Sequence, residues 1–192
     1  LVRMWFNIRQ IIDQLSFKAC DYNTVQHSAF MTSFIVPTPY PDIGSLIPHS
    51  GSMCLLDRVS YFDDSHIICH ASSHRLPDNP LRHHGQLSAQ TGIEYAAQAV
   101  AAHGSLLAHR SGTASAPKQG MIAILTDVQW FCDRLDTVED DLVIEVHKLA
   151  DLPQGLNYRF TVSAAQQLLL TGELIIALQS PPVSADFITE TR

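Results

Sequence analysis

Ala89-Gln90-Thr91-Gly92-Ile93-Glu94-Tyr95-Ala96-Ala97-Gln98-Ala99-Val100-Ala101-Ala102-His103-Gly104-Ser105-Leu106-Leu107-Ala108-His109 is the stretch that decides the fold. Apolar or small residues fall at 89, 93, 96, 97, 100, 101, 104, 107 and 108, the i, i+3, i+4, i+7 spacing of an amphipathic helix. The stretch holds no proline and ends in Ser111-Gly112-Thr113-Ala114-Ser115-Ala116-Pro117, a loop signal. Alanine predominates on its apolar face. One-carbon side chains let a curved sheet close tightly around such a helix, where leucines would hold it off.

Outward from the helix, the remaining segments read as strands. Before it lie 53–62 and Ser65–Ser73, bounded by Gly51 and Asp63-Asp64. After it come 120–131, 141–150, 156–165 and 168–178, with Ala165-Gln166-Gln167 as a weak turn between the last two. Two strands, one long helix and four strands predict an α+β domain, a six-stranded antiparallel sheet wrapped on one central helix. Asp78-Asn79-Pro80 is a loop. Pro37, Pro39 and Pro41 stiffen the approach to the domain. The expected organisation is an extension over 1–36, loosely ordered, a domain over 37–180 and a tail over 181–192. Within the extension, residues 4–15 fit a short amphipathic helix, and Met31 reads as a natural start.

Bulk properties narrow the function. The chain has 192 residues, 46% of them apolar, and a formal net charge of −7. No apolar run approaches the roughly 20 residues of a membrane helix. An acidic chain offers no global field for nucleic acid. Cys20, Cys54, Cys69 and Cys132 form no C-x-x-C pair, and no secretory signal is evident, so reduced thiols of a cytoplasmic protein are expected.

Two segments carry chemistry. Pro48-His49-Ser50-Gly51-Ser52-Met53-Cys54-Leu55-Leu56-Asp57-Arg58-Val59 offers a histidine ahead of an apolar run. Gly92-Ile93-Glu94-Tyr95-Ala96-Ala97-Gln98 offers a carboxylate near a helix start. A histidine and a carboxylate brought together can move protons in opposite senses. Glu94 alone could serve only the helix dipole. Gln98, one turn on, could orient the carboxylate or satisfy a buried backbone group. Asp57-Arg58 reads as a structural pair or a turn feature. His66, His70 and His74 suggest a metal site, but four residues of strand span about 13 Å, too far for one ion. His103 and His109 face different sides of the helix.

These motifs resemble the hot-dog fold, and within it the 3-hydroxyacyl-[acyl-carrier-protein] dehydratases. That family carries a Pro-His-x-x-Pro-Phe-Leu-Leu-Val-Asp-Arg-Val-like segment, matched over Pro48–Val59, and a Glu-x-x-Ala-Gln helix, matched by Glu94–Gln98. The likeness is greatest to the predicted dehydratases of aryl-polyene pigment clusters, whose Gly-Ile-Glu-x-Met-Ala-Gln-Ala-x-Ala-Ala pattern is met by Gly92–Ala102, with Ala96 where Met is usual. The Gly-His-Phe-Pro loop of the better-known dehydratases is absent; Pro80 and Arg82-His83-His84-Gly85 stand there instead. The resemblance therefore leaves His49, His83 and His84 as candidate bases and favours His49, which the aryl-polyene subgroup keeps.

It implies loss of water from a 3-hydroxyacyl thioester, with His49 taking the α-proton and Glu94 protonating the leaving hydroxyl. Gly92, Gln98, His83 and His84 would line the substrate site, and backbone N–H groups near Gly92 would stabilise the thioester oxyanion. No metal or redox cofactor is needed. The implied partners are an acyl carrier protein and a second hot-dog subunit, like or unlike, with the site shared between subunits. Arg82, Arg110, Lys118 and Arg134 are candidate cations for the acidic carrier. A hot-dog thioesterase and a non-catalytic partner subunit are the alternatives.

Overall fold

A computed structural model of the chain describes residues 40–112, 120–153 and 155–178. The expectations for 1–36, for Met31, for 181–192, for Cys20 and for Lys118 fall outside them. A four-residue helix, α1 (Ile43–Leu46), opens the domain. Asp42 caps it, its carboxylate accepting from the Gly44 amide at 3.1 Å. The long helix α2 spans Gly92–Arg110 and is preceded by a 3-10 turn over Ala89–Thr91. The strands are β1 (Arg58–Phe62), β2 (His66–Ala71), β3 (Gly120–Trp130), β4 (Leu142–Leu152), β5 (Gly155–Ala164) and β6 (Gln167–Leu178).

All neighbours pair antiparallel in the order β1-β2-β4-β5-β6-β3. The helix lies over β2, β4 and β5. This is the α+β hot-dog arrangement that the sequence predicts. Strand side chains alternate, so Ile67, Cys69, Ala71, Leu142, Ile144, Val146, Tyr158, Phe160, Val162, Leu170 and Leu174 turn inward. They meet Ile93, Tyr95, Ala96, Ala99, Val100 and Ala102 of α2, all buried. The alanines let β2, β4 and β5 approach the helix axis. Gly92 does the same at its first turn, where a Cβ would stand 2.7 Å from Leu170 Cδ2.

Strand ends differ from expectation in an informative way. Residues 53–57 are not strand. Gly51–Met53 form a 3-10 turn, and over Cys54–Leu56 side chains take the hydrogen bonds a strand would: Leu55 N–H donates to Gln98 Oε1 at 3.0 Å, and Leu55 C=O accepts from Ser73 Oγ at 2.7 Å. The β5–β6 turn is tighter than its sequence suggests. Ala165 (φ 47°) and Gln166 (φ 66°) both adopt left-handed backbone, the requirement of a two-residue hairpin loop that matches strand twist.

Asp57 and Arg58 do not pair. Asp57 accepts from the Ser72 amide at 2.7 Å, while Arg58 faces Asp141 at 3.9 Å. Cys54, Cys69 and Cys132 are free thiols, and burial pushes Cys69 up to about 12.

Candidate active site

Two elements meet at the His49–Glu94 contact. Pro48-His49 follow α1 through Ile47, whose backbone is extended, and the buried side chains of Ile43, Leu46 and Ile47 pin that segment to the core. Ser105 of α2 donates to Leu46 C=O at 2.6 Å, tying α1 to the long helix. Glu94 sits in the first turn of α2. His49 Nε2 and Glu94 Oε1 stand 3.2 Å apart, with the two residues 5% and 3% exposed. A carboxylate and an imidazole this deep see little water, so their mutual interaction is stronger than on a surface.

Gln98 completes the group. Its amide nitrogen donates to Glu94 Oε1 at 3.1 Å and to Met53 C=O at 2.8 Å, and its oxygen accepts from Leu55 N–H. Both roles foreseen for this residue are therefore filled at once. The amide hydrogens expected to contact substrate are both donated within the chain. Gln98 locks the segment that follows His49 onto the helix that carries Glu94. One polar atom remains without a partner: His49 Nδ1 is buried and accepts or donates no hydrogen bond. Since buried polar atoms are nearly always paired, that nitrogen is where a ligand group would find an unmet need.

A second buried network stands beside the first, and sequence reasoning missed it. The Tyr95 hydroxyl meets Ser73 Oγ at 2.9 Å and accepts from Asn79 Nδ2 at 3.0 Å. Asn79 also donates to Ser73 C=O at 2.9 Å and accepts from the Leu81 amide. Burial pushes the Tyr95 hydroxyl up from its ordinary range. This network stitches the 73–81 loop to α2 and to Leu55. A tyrosine next to Glu94 in the helix, with an asparagine in a Pro-rich loop, was the available signal.

The remaining candidates fall elsewhere. His83 and His84 are exposed at a turn, their rings 4.0 Å apart, with His84 (φ 51°) and Gly85 (φ 76°) in left-handed backbone. Among the described residues, neither contacts His49 or Glu94. The Gly92 N–H is bonded to Ala89 and Gln90 carbonyls, and the amides of 89, 90 and 91 are paired with Asp133 C=O, Ser88 Oγ and Ser88 C=O. An oxyanion donor at Gly92 would therefore have to break the 3-10 turn, and this glycine is explained by its packing against Leu170.

Arg82 is a loop staple, donating to Leu76, His74, Arg75 and Gly85 carbonyls and to Asp136. Arg134 pairs with Asp136 at 2.5 Å and holds that carboxyl well below the usual range. Arg110 pairs with Asp64. The resemblance implied a site split between subunits, yet both members of the His49–Glu94 contact come from one chain.

No curated protein matches the chain. A chain of the dehydratase heterocomplex ApeI:P from Xenorhabdus doucetiae is similar with a TM-score of 0.63 at 23% identity, over 73% of this chain and 93% of that one. A hypothetical thioesterase with coenzyme A from Streptococcus pneumoniae TIGR4 has a TM-score of 0.46 at 10% identity, covering 64% and 85% of the two chains. An HP0420-homologue from Helicobacter felis has a TM-score of 0.49 at 12% identity, covering 72% and 86%. Residues 41–188, which include His49, Glu94 and Gln98, match the model of the ApeP-like family of ApeP dehydratases; the chain belongs to that family and is a dehydratase.

Proposed function

We propose that the chain removes water from a 3-hydroxyacyl thioester carried on acyl carrier protein, in aryl-polyene type synthesis, with His49 as base and Glu94 as acid. The observation that supports this reading is the buried 3.2 Å contact between the two, built inside one chain. Because Gln98 donates to Glu94 Oε1, that oxygen serves as an acceptor, and Oε2 is left to carry the transferable proton. The unpartnered His49 Nδ1 is the atom suited to take the α-proton.

The steps balance. The α-C–H proton passes to His49 and its electron pair forms the C=C bond. The β-C–O bond breaks and its oxygen takes the Glu94 proton, so water leaves. Imidazolium and carboxylate are left 3.2 Å apart; release of the Nδ1 proton to water and uptake of one proton at Glu94 Oε2, with no net change in protons, reset both. Each positioned acid or base is worth about 10²–10⁴-fold.

His49→Ala and Glu94→Gln, made separately, test the roles by loss of enoyl-thioester absorbance with the melting temperature retained. If both variants keep full activity, the assignment fails. A hot-dog thioesterase is the competing chemistry: there Glu94 would activate water and His49 would have no part. Thiol release from the same substrate without enoyl formation would favour it.

A second hot-dog subunit is part of the proposal. β3 stands at the sheet edge, paired only to β6, and exposes Met121 and Ile124. An edge strand of eleven residues with apolar side chains invites pairing. Chain that is inactive alone but active with an unlike hot-dog subunit would give a heterodimer; full activity alone would give a homodimer. Among the described residues, no helix is long and apolar enough to cross a membrane. The cytoplasm is the compartment this reading takes, in keeping with the three free thiols.

A further inference from the structure

On the sheet face opposite α2, the fold assembles side chains that no dehydration step uses. His66 of β2 lies directly across from His147 of β4, and Glu145 lies two residues before His147 on the same face. The His66 and His147 rings stack 3.9 Å apart and 13° from parallel. Glu145 Oε1 stands 2.8 Å from His66 Nε2 and 3.0 Å from His147 Nε2. One ligand atom from each residue falls within 4.8 Å of the others.

We propose that His66, Glu145 and His147 form a binding site for a divalent transition-metal ion of the zinc or cobalt class, with water completing its coordination. Two imidazoles and one carboxylate suit such ions by donor type, and three protein ligands with an open position are a recurrent set. The geometry is close. At metal–ligand bonds of about 2.0–2.2 Å, tetrahedral ligand atoms stand about 3.4 Å apart, so modest side-chain rotations reach it from the separations seen.

Three features favour an ion over a simple ion pair. First, His66 Nε2 is buried yet makes no hydrogen bond, although Glu145 Oε1 is 2.8 Å away. A buried ring nitrogen without a hydrogen-bond partner is an unmet need that a metal ion would fill. Second, stacked imidazoles at 3.9 Å repel if both are protonated, whereas a metal binds both neutral. Third, the nearby cation is already compensated. Arg159 of β5, in register with His147, is held by Glu173 at 2.7 Å and 3.1 Å. Tyr61 of β1 covers the other side of His66, its hydroxyl engaged by Asp63. The half-open Glu145 and His147 leave an entry path, with side chains 37% and 47% exposed.

The ion would clip β2 to β4. That seam is where the first hairpin, β1–β2, joins the four C-terminal strands. Only the native register sets His66 against His147, so binding would stabilise the folded sheet by linkage.

The test uses the full chain, in whatever assembly it purifies, stripped with chelator and titrated with Co²⁺ and then Zn²⁺. The expected result is one Co²⁺ per chain by calorimetry, visible d–d absorption bands, displacement by Zn²⁺ and a raised melting temperature. Losing an outer-sphere partner of a metal site already costs about 10–100-fold in affinity, so His147→Gln and Glu145→Gln should each cost at least about 100-fold. His147 is exposed, so its variant folds, and unchanged circular dichroism checks that. His49→Ala should bind metal normally, which separates this site from the proposed catalytic histidine. Equal affinity in His147→Gln, loss of binding in His49→Ala instead, or no one-to-one binding at about 1 mM metal, where the free energy is only about 4 kcal/mol, would each overturn the proposal.

Discussion

Among the described residues, histidine stands against glutamate in two places, one between the segment after α1 and helix α2, the other across β2 and β4. The inner contact, His49–Glu94, spans 3.2 Å with both side chains 4% exposed. The outer one, His66–Glu145, spans 2.8 Å with 17% and 37% exposure, and has a third member in His147. Distance therefore does not separate them; surroundings do. Inside, Gln98 fixes one carboxylate oxygen and apolar residues exclude water, so a proton can pass between two groups without competition from solvent. Outside, Glu145 and His147 are open to solvent and Glu145 Oε1 is shared by two imidazoles, an arrangement that suits a ligand and not a proton donor. The same two residue types become an acid–base pair or a metal-type cluster according to what covers them.

The sharpest way to break this contrast is one substitution made at both places. Glu94→Gln should lower kcat/KM by about 10²–10⁴-fold, because it removes the proposed proton donor while keeping shape. Glu145→Gln should leave dehydration unchanged within about twofold, since it faces away from α2. Equal losses at the two sites, measured by enoyl absorbance, would erase the distinction.

Gln98→Leu comes next. It leaves the buried Leu55 N–H and Met53 C=O unpaired and should cost about 1–3 kcal/mol in denaturant unfolding. If Gln98 positions the pair, kcat should fall more than KM rises, and Gln98→Glu should not rescue it, because a second carboxylate would face Glu94 and both donated hydrogens would be lost. A Gln98→Leu enzyme with normal kcat and only reduced stability would confine this residue to packing.

The legibility of these two regions in sequence was unequal, for physical reasons. Periodicity exposes helix and strands, so α2 and all six strands were readable, as was the β5–β6 hairpin. The start of β1 was not. Met53-Cys54-Leu55-Leu56 has strand composition, but its hydrogen bonds go to Gln98 and Ser73, partners 43 and 18 residues from Leu55. The inner pair could be guessed because each half lies in a recognisable local motif. Its working parts were less visible: nothing local shows that the Gly92 N–H is used in a turn or that His83 and His84 point outward. The outer cluster was invisible. His66, His70 and His74 go to different partners: His70 of β2 meets Ser60 Oγ at 2.9 Å, and His74, in the 3-10 turn Ser73–Arg75 beyond β2, meets Val138 C=O at 3.1 Å. What joins His66 to Glu145 and His147 is strand register, and a single strand carries no record of its register.

A third histidine extends the comparison to stability. His103 on α2 is fully buried, with Nε2 at 2.9 Å from the Asp63 carbonyl and Nδ1 at 2.9 Å from the Tyr158 hydroxyl. A carbonyl only accepts, so Nε2 carries the hydrogen and Nδ1 accepts from tyrosine. Burial lowers the His103 pKa below 6.5, and it lowers His70 and His74 as well. With folded pKa values below the unfolded ones, the unfolded chain binds more protons as pH drops through about 6.5. Stability is therefore full above that pH and is lost progressively below it, until the folded pKa values are reached. Melting temperatures between about pH 8 and pH 5 should show this fall, and His103→Gln, which can keep both hydrogen bonds without titrating, should flatten its slope. A slope identical to that of the parent would remove His103 from the account.

The smallest effect belongs to the outer carboxylate when no metal is present. Glu145 Oε1 shares a hydrogen bond with His147 Nε2 at 3.0 Å, in partial solvent. Half-exposed pairs of this kind contribute about 0–1 kcal/mol, far less than contact distance suggests. Glu145→Gln in chelator-treated protein should accordingly unfold within about 1 kcal/mol of the parent, since the amide oxygen still accepts from His147. The comparison then turns on added Zn²⁺. If it stabilises the parent and leaves Glu145→Gln unmoved, the outer contact gains its energy from an ion. If parent and variant differ equally with and without Zn²⁺, Glu145 contributes only an ion pair to the β2–β4 seam. Two histidine–glutamate contacts of nearly equal length would still behave differently, through solvent exclusion at the inner one alone.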